Sequence, residues 1–153
     1  MTTSTADPEA AALRGAGLRV TAPRRAVLSW LAANPHSTAD AITAGVRSKL
    51  GSVSTQAIYN VLAAYTDAGL ARKIEPAGHP ARFERRAGDN HHHLVCRGCG
   101  RTEDVDCTVG AAPCLTPVDD HDFLVDEAEV VFWGWCPSCR DQQATTTQQE
   151  ARQ

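Results

Sequence analysis

The chain is 153 residues long with a formal net charge of −3, enough for one domain of ordinary size or two small ones sharing a linker. That small charge conceals an asymmetry: residues 1–86 hold 11 Lys+Arg against 6 Asp+Glu, and residues 87–153 hold 4 against 12. A basic half suits a polyanion, and an acidic half rich in His and Cys suits cations. No apolar run approaches the ~20 residues of a membrane span, and Met1–Glu9 lacks the charged and apolar regions of a secretory signal. The expected location is therefore the cytoplasm, where six cysteines read as metal ligands or redox thiols rather than as structural disulfides.

Helical signals fill the first seventy residues. Leu13–Leu18 follows an Ala-rich stretch and is punctuated by Gly15 and Gly17. Thr21 is a good N-cap for a helix over Ala22–Ala33, with Pro23 in its first turn, where a missing N–H costs nothing. Asn34-Pro35 stops it. Ser37 or Thr38 caps a third helix with Ile42, Val46 and Leu50 on one face, and Gly51 follows its end. Ser54 caps a fourth, where Ile58, Val61, Leu62 and Tyr65 recur at the spacing of a buried stripe. Gly69 stands where a left-handed residue ends a helix. Leu70–Glu75 and Ala81–Arg86 read as short strands joined through the turn Pro76–Pro80.

After Gly88 the pattern changes to strands: His92–Arg97, Thr102–Asp106 and a long apolar-rich Phe123–Trp133. Gly110, Pro113 and Pro117 argue against a long helix over Cys107–Asp122. The Gln- and Thr-rich tail from Arg140 is expected to lose order after about one turn. The fold class predicted is α+β, with a winged helix-turn-helix over 1–86, a small α/β dimerisation and metal-binding domain over 87–139, and a disordered tail over 140–153.

The strongest chemical signal is a pair of CxxC knuckles, Cys96-Arg-Gly-Cys99 and Cys136-Pro-Ser-Cys139. Four thiolates suit a tetrahedral Zn²⁺, and a closed sulfur shell is structural rather than catalytic. Trp135-Cys136-Pro-Ser-Cys139 also mimics a thioredoxin-type motif, yet only 14 residues follow Cys139, too few for the rest of that fold. A second signal is Asn90-His-His-His-Leu-Val-Cys96. Alternation along a strand puts His91 and His93 on one face and His92 with Cys96 on the other. Glu84 and Asp104 lie nearby in sequence, and a mixed imidazole–carboxylate set suits Fe²⁺ or Mn²⁺, with Zn²⁺ also admissible.

A third signal is Ser54-Thr-Gln-Ala-Ile-Tyr-Asn60. With Ile58 and Val61 turned inward, Thr55, Gln56, Tyr59 and Asn60 face outward and can donate to phosphates or read base edges of double-stranded DNA. Arg14, Arg19, Arg24 and Arg25 are candidate phosphate contacts, and Arg82, Arg85 and Arg86 belong to the wing. The enzyme alternative is a zinc hydrolase or nucleobase deaminase. A deaminase needs His-x-Glu ahead of its CxxC, and no histidine here is followed two residues later by Glu. Cys107 and Cys114 are candidate redox thiols, or equally a pair of buried small hydrophobes.

Together these stretches resemble the ferric uptake regulator (Fur) family from about Leu13 to Cys139. The likeness rests on Gly17-Leu-Arg-Val-Thr-Ala-Pro-Arg-Arg25, His36 before Thr38-Ala-Asp40, Ala57-Ile-Tyr-Asn-Val-Leu62, Ala68-Gly-Leu70, Ala81-Arg-Phe-Glu84, the His-rich strand and both knuckles. The resemblance implies a cytoplasmic homodimer that, loaded with regulatory metal, grips a palindromic operator and represses transcription. Carried over by position, the regulatory ligands are His36, Glu84, His91, His93 and Asp104. His36 comes from the resemblance alone.

Three departures from the family pattern stand out. Cys107–Asp122 replaces a helix, Ala128 stands near the place of a histidine in a further metal site, and Asn60 stands where arginine is common. Asp126–Gly134 and Cys107…Cys114 resemble the peroxide-responsive, catalase-controlling branch. The alternatives within this reading are a zinc- or manganese-responsive regulator, or a thiol-redox protein.

Overall fold

The structure is a computed structural model that describes residues 7–86, 91–106, 121–124 and 130–150. The chain divides into two units, Met1–Gly88 and Asp89–Gln153.

The first unit opens with helix α1, Pro8–Gly15, capped by Asp7, whose carboxylate accepts from the Ala10 N–H. This helix begins earlier and ends sooner than the Leu13–Leu18 reading. The Ala-rich run before Leu13 supplies its body, and Leu18 donates back to the Leu13 carbonyl after the chain has turned. Helix α2 spans Ala22–Ala33 with Thr21 as N-cap and Pro in the first turn, as the sequence predicts. Strand β1, Ser37–Thr38, follows; its two residues carry no periodicity that a sequence could show. Thr38 then caps α3, Ala39–Leu50, and Ser54 caps α4, Thr55–Asp67. At the end of α4 the Gly69 and Leu70 N–H groups return to Thr66 and Tyr65. Gly69 has φ +69, a left-handed conformation that costs glycine little.

Strands β2, Ala71–Ile74, and β3, Arg82–Arg85, form a hairpin, and β1 adds to β3 to give a three-stranded sheet in the order β1-β3-β2. Leu13, Val27, Leu28, Leu31, Ile42, Val46, Ile58, Leu62, Tyr65 and Phe83 make one core between the helices and this sheet. The Tyr65 hydroxyl is satisfied by the Arg24 carbonyl, so a polar group closes that core without an orphan. Four packed helices and a β-hairpin extended by β1 make this unit a winged helix.

The second unit holds β4, His91–Cys96, β5, Thr102–Asp106, and β6, Val131–Gly134, in the sheet order β5-β4-β6. β5 pairs antiparallel to β4 and β6 parallel to it. The long strand expected over Phe123–Trp133 is corrected: its described strand residues are Val131–Gly134, and Phe123 and Leu124 lie outside it, exposed. An apolar run does not distinguish a strand from the segment leading to it.

Helix α5, Pro137–Glu150, also departs from the expected disordered tail. Pro137 suits a first turn, and Gln, Arg and Ala are good helix formers. The polar segment offers no apolar stripe, which is why it read as disordered. Cys107, Cys114 and Ala128 lie outside the described residues.

Candidate metal centres and nucleic-acid interface

The two knuckles meet. β4 ends in Cys96, and the tight turn after it brings Cys99 back, with the Gly100 N–H donating to the Cys96 carbonyl at 2.9 Å. β6 runs alongside β4 and delivers Cys136 just past its end, and the first turn of α5 carries Cys139. The four sulfurs lie within 4.8 Å of one another, and Cys99 Sγ and Cys136 Sγ are 3.8 Å apart. A tetrahedron with Zn–S bonds of ~2.3 Å has S···S edges of roughly 3.8 Å, so the spacing fits zinc.

The electrostatics agree. The Cys136 N–H donates to Cys96 Sγ at 3.3 Å, and that bond with a second from Cys99 lowers the Cys96 thiol to about 6. Cys139 is pushed up to about 12, first by sharing a hydrogen with Cys136 and then with Cys99. Four sulfurs this close resist ionising together unless a cation offsets their charge, and Zn²⁺ supplies it. Gly98 leaves the space: a Cβ there would lie 2.9 Å from Cys139 Sγ and 3.0 Å from the Trp135 ring.

The histidine–carboxylate residues form a pair within each unit. In the first, His36 Nε2 and Glu84 Oε2 are 2.9 Å apart and both side chains are buried. In the second, His93 Nε2 and Asp104 Oδ1 are 3.7 Å apart, on directly opposed positions of β4 and β5. His93 is fully buried and Asp104 is about half-exposed. Each pair offers an imidazole nitrogen and a carboxylate oxygen to one ion, a donor set that suits Fe²⁺, Mn²⁺ or Zn²⁺. The backbone of His91 pairs with Asp106, and its side chain lies outside the described residues. His92 presents its ring edge-on to Phe132, at a centroid distance of 6.2 Å.

On α4, Thr55, Gln56, Tyr59 and Asn60 are exposed, while Ile58, Val61, Leu62 and Tyr65 are buried. Gln56 donates to Asn60 Oδ1 at 3.0 Å, which ties two of the outward side chains together one turn apart. Of the four proposed phosphate contacts, Arg14 and Arg19 are exposed. Arg24 donates to the Arg19 carbonyl, and Arg25 pairs with Asp7 at 2.6 Å.

Sequence reasoning missed Arg47 on α3. It donates to the Val53 carbonyl at 2.9 Å and to Thr55 Oγ1 at 3.1 Å, bracing the first turn of α4. It stands in the last turn of α3, where a positive charge also suits the helix end.

The sequence model of the Ferric uptake regulator family matches residues 15–112. The chain belongs to the ferric uptake regulator family. It is 59% identical over 127 residues to the transcriptional regulator FurA of Mycobacterium tuberculosis, covering 83% of this chain and 86% of that one. It is 31% identical over 137 residues to the peroxide-responsive repressor PerR of Staphylococcus aureus, covering 86% and 88%. In fold it matches the Vibrio cholerae ferric uptake regulator, with a TM-score of 0.64 at 23% identity over 83% of this chain and 98% of that one. The chain is accordingly a transcriptional regulator of the Fur family. No helix of the described residues is long and apolar enough to cross a membrane.

Proposed function

We propose that this regulator is a cytoplasmic homodimeric repressor that binds a palindromic operator only when a divalent metal occupies its regulatory site. The ligands assigned to that site are His36 and Glu84 from the winged helix and His91, His93 and Asp104 from the second unit. Cys96, Cys99, Cys136 and Cys139 hold a separate structural Zn²⁺. The observation that carries the reading is the buried His36–Glu84 pair at 2.9 Å, an imidazole–carboxylate donor set inside the DNA-binding unit itself. Metal held there acts on the same small domain that presents Thr55, Gln56, Tyr59 and Asn60 to DNA, with Arg14, Arg19, Arg24 and Arg25 beside the phosphates.

Iron is the assigned regulatory metal, with Mn²⁺ as a substitute, and peroxide is the proposed effector. The likeness to a peroxide-responsive repressor supports this, as does a histidine–carboxylate donor set in which Asp104 faces His93. Affinity selection from random duplexes with Mn²⁺-loaded protein tests the reading. Enrichment of a two-fold symmetric sequence that is lost with chelator supports it, and enrichment indifferent to metal opposes it.

A further inference from the structure

Strand β3 presents two side chains to His36. Arg82 and Glu84 stand two residues apart on this strand, and Phe83 between them packs into the core. Glu84 Oε2 meets the His36 ring at 2.9 Å, and Arg82 Nη1 donates to the His36 backbone carbonyl at 3.0 Å. Ring and backbone of one residue are thus held from the same strand.

The backbone needs holding. His36 has φ +58, a left-handed conformation that a non-glycine residue keeps only where its surroundings determine it. One restraint is the two-residue ladder that follows, Ser37 opposite Phe83 and Thr38 opposite Arg82. The Arg82 bond is a second. Arg82 Nε is buried and makes no hydrogen bond among the described residues. Arg82 as a whole is partly buried, and the bond its guanidinium makes to the His36 carbonyl is charge-assisted.

We propose that Arg82 is a positioning residue for metal sensing. It fixes the His36 backbone so that Nε2 stands beside Glu84, and it ties the wing strand to the metal ligand. The inference rests on the proposed role of His36 and Glu84 as regulatory ligands. Sequence alone places Arg82 among the wing arginines, with a phosphate as its natural partner. The structure instead turns its Nη1 to a carbonyl within the protein.

The test is a Co²⁺ titration of the zinc-loaded full-length protein, followed by visible absorption, in wild type, Arg82→Ala, Arg82→Lys and Glu84→Ala. Arg82→Ala should weaken Co²⁺ binding roughly 10- to 100-fold, as loss of a residue that orients a ligand does. It should also shift the Co²⁺ bands while zinc content stays that of wild type. Arg82→Lys, which keeps a cationic donor, should recover part of the affinity. If Arg82→Ala does not fold, Arg82→Met keeps the stem and removes every donor; wild-type Co²⁺ affinity and bands in that variant overturn the proposal. A phosphate contact would lower DNA affinity and leave Co²⁺ binding unmoved, which also overturns it. Unchanged binding in Glu84→Ala overturns the ligand assignment beneath it, so the two failures are distinguishable.

Discussion

His36 Nε2 and Glu84 Oε2 face each other across 2.9 Å, both buried, although 48 residues separate them in the chain. One comes from the turn after α2 and the other from the wing strand β3, so the pair exists only when the winged helix is folded. A metal ion ligated there binds the folded unit and not the unfolded chain, and therefore stabilises it by mass action. His36→Ala should keep its zinc yet lose metal-activated operator binding, read by fluorescence anisotropy with zinc content measured on the same sample. His91→Ala should behave alike. Metal activation that survives in both variants would remove these residues from the sensing site.

Cys99→Ser should release zinc and lower the thermal midpoint of the second unit, because the free energy of metal binding at such a site is folding free energy. The sulfur spacing of 3.8 Å between Cys99 and Cys136 is the basis. Gly98→Ala should produce a milder loss, since its Cβ would press on Cys139 Sγ. Zinc content by elemental analysis and melting by calorimetry decide the matter, and an unchanged Cys99→Ser protein would contradict it.

Tyr59→Ala should weaken operator binding by roughly 1–3 kcal/mol without unfolding the protein. Tyr59 is 48% exposed on the face of α4 opposite the buried Ile58, so its removal leaves no core cavity. Operator affinity and melting temperature measured together separate a DNA contact from a packing role; wild-type affinity would refute the assignment.

The winged helix was legible because its signals are local. Thr21, Thr38 and Ser54 cap helices through their own side chains, and Gly69 marks an end that needs a left-handed residue. The knuckles were legible because CxxC spacing is itself the geometry of a turn. β1 was not, since two residues carry no period. Neither Arg47 nor Arg82 was legible in its role, because each donates to a backbone carbonyl that any residue could supply, and the second bond of Arg47, to Thr55 Oγ1, joins residues on two different helices. The helix over Pro137–Glu150 was hidden by its uniformly polar sequence, and the redox reading of Cys107 and Cys114 falls outside the described residues.

Peroxide treatment of the iron form should add one oxygen to His36 or His91 and release operator DNA, while the manganese form stays bound. Iron held by His36, Glu84, His91, His93 and Asp104 would supply redox chemistry toward peroxide that manganese supplies poorly, and the imidazoles would be the groups exposed to it. Mass spectrometry of peptides from both forms checks this. A Cys107–Cys114 disulfide with intact histidines would assign the response to thiols instead. Unchanged operator binding by the oxidised iron form would leave a sensor of metal level alone.

Metal-dependent DNA binding is tested most directly by anisotropy titration of one operator duplex, selected from a random pool, with zinc-loaded protein in the presence of Mn²⁺ and after its removal. Mn²⁺ should tighten operator binding by about 5- to 150-fold, the range expected for a coupling of about 1–3 kcal/mol, and the operator should tighten Mn²⁺ binding by the same factor. Equal operator affinity with and without Mn²⁺ would contradict the account.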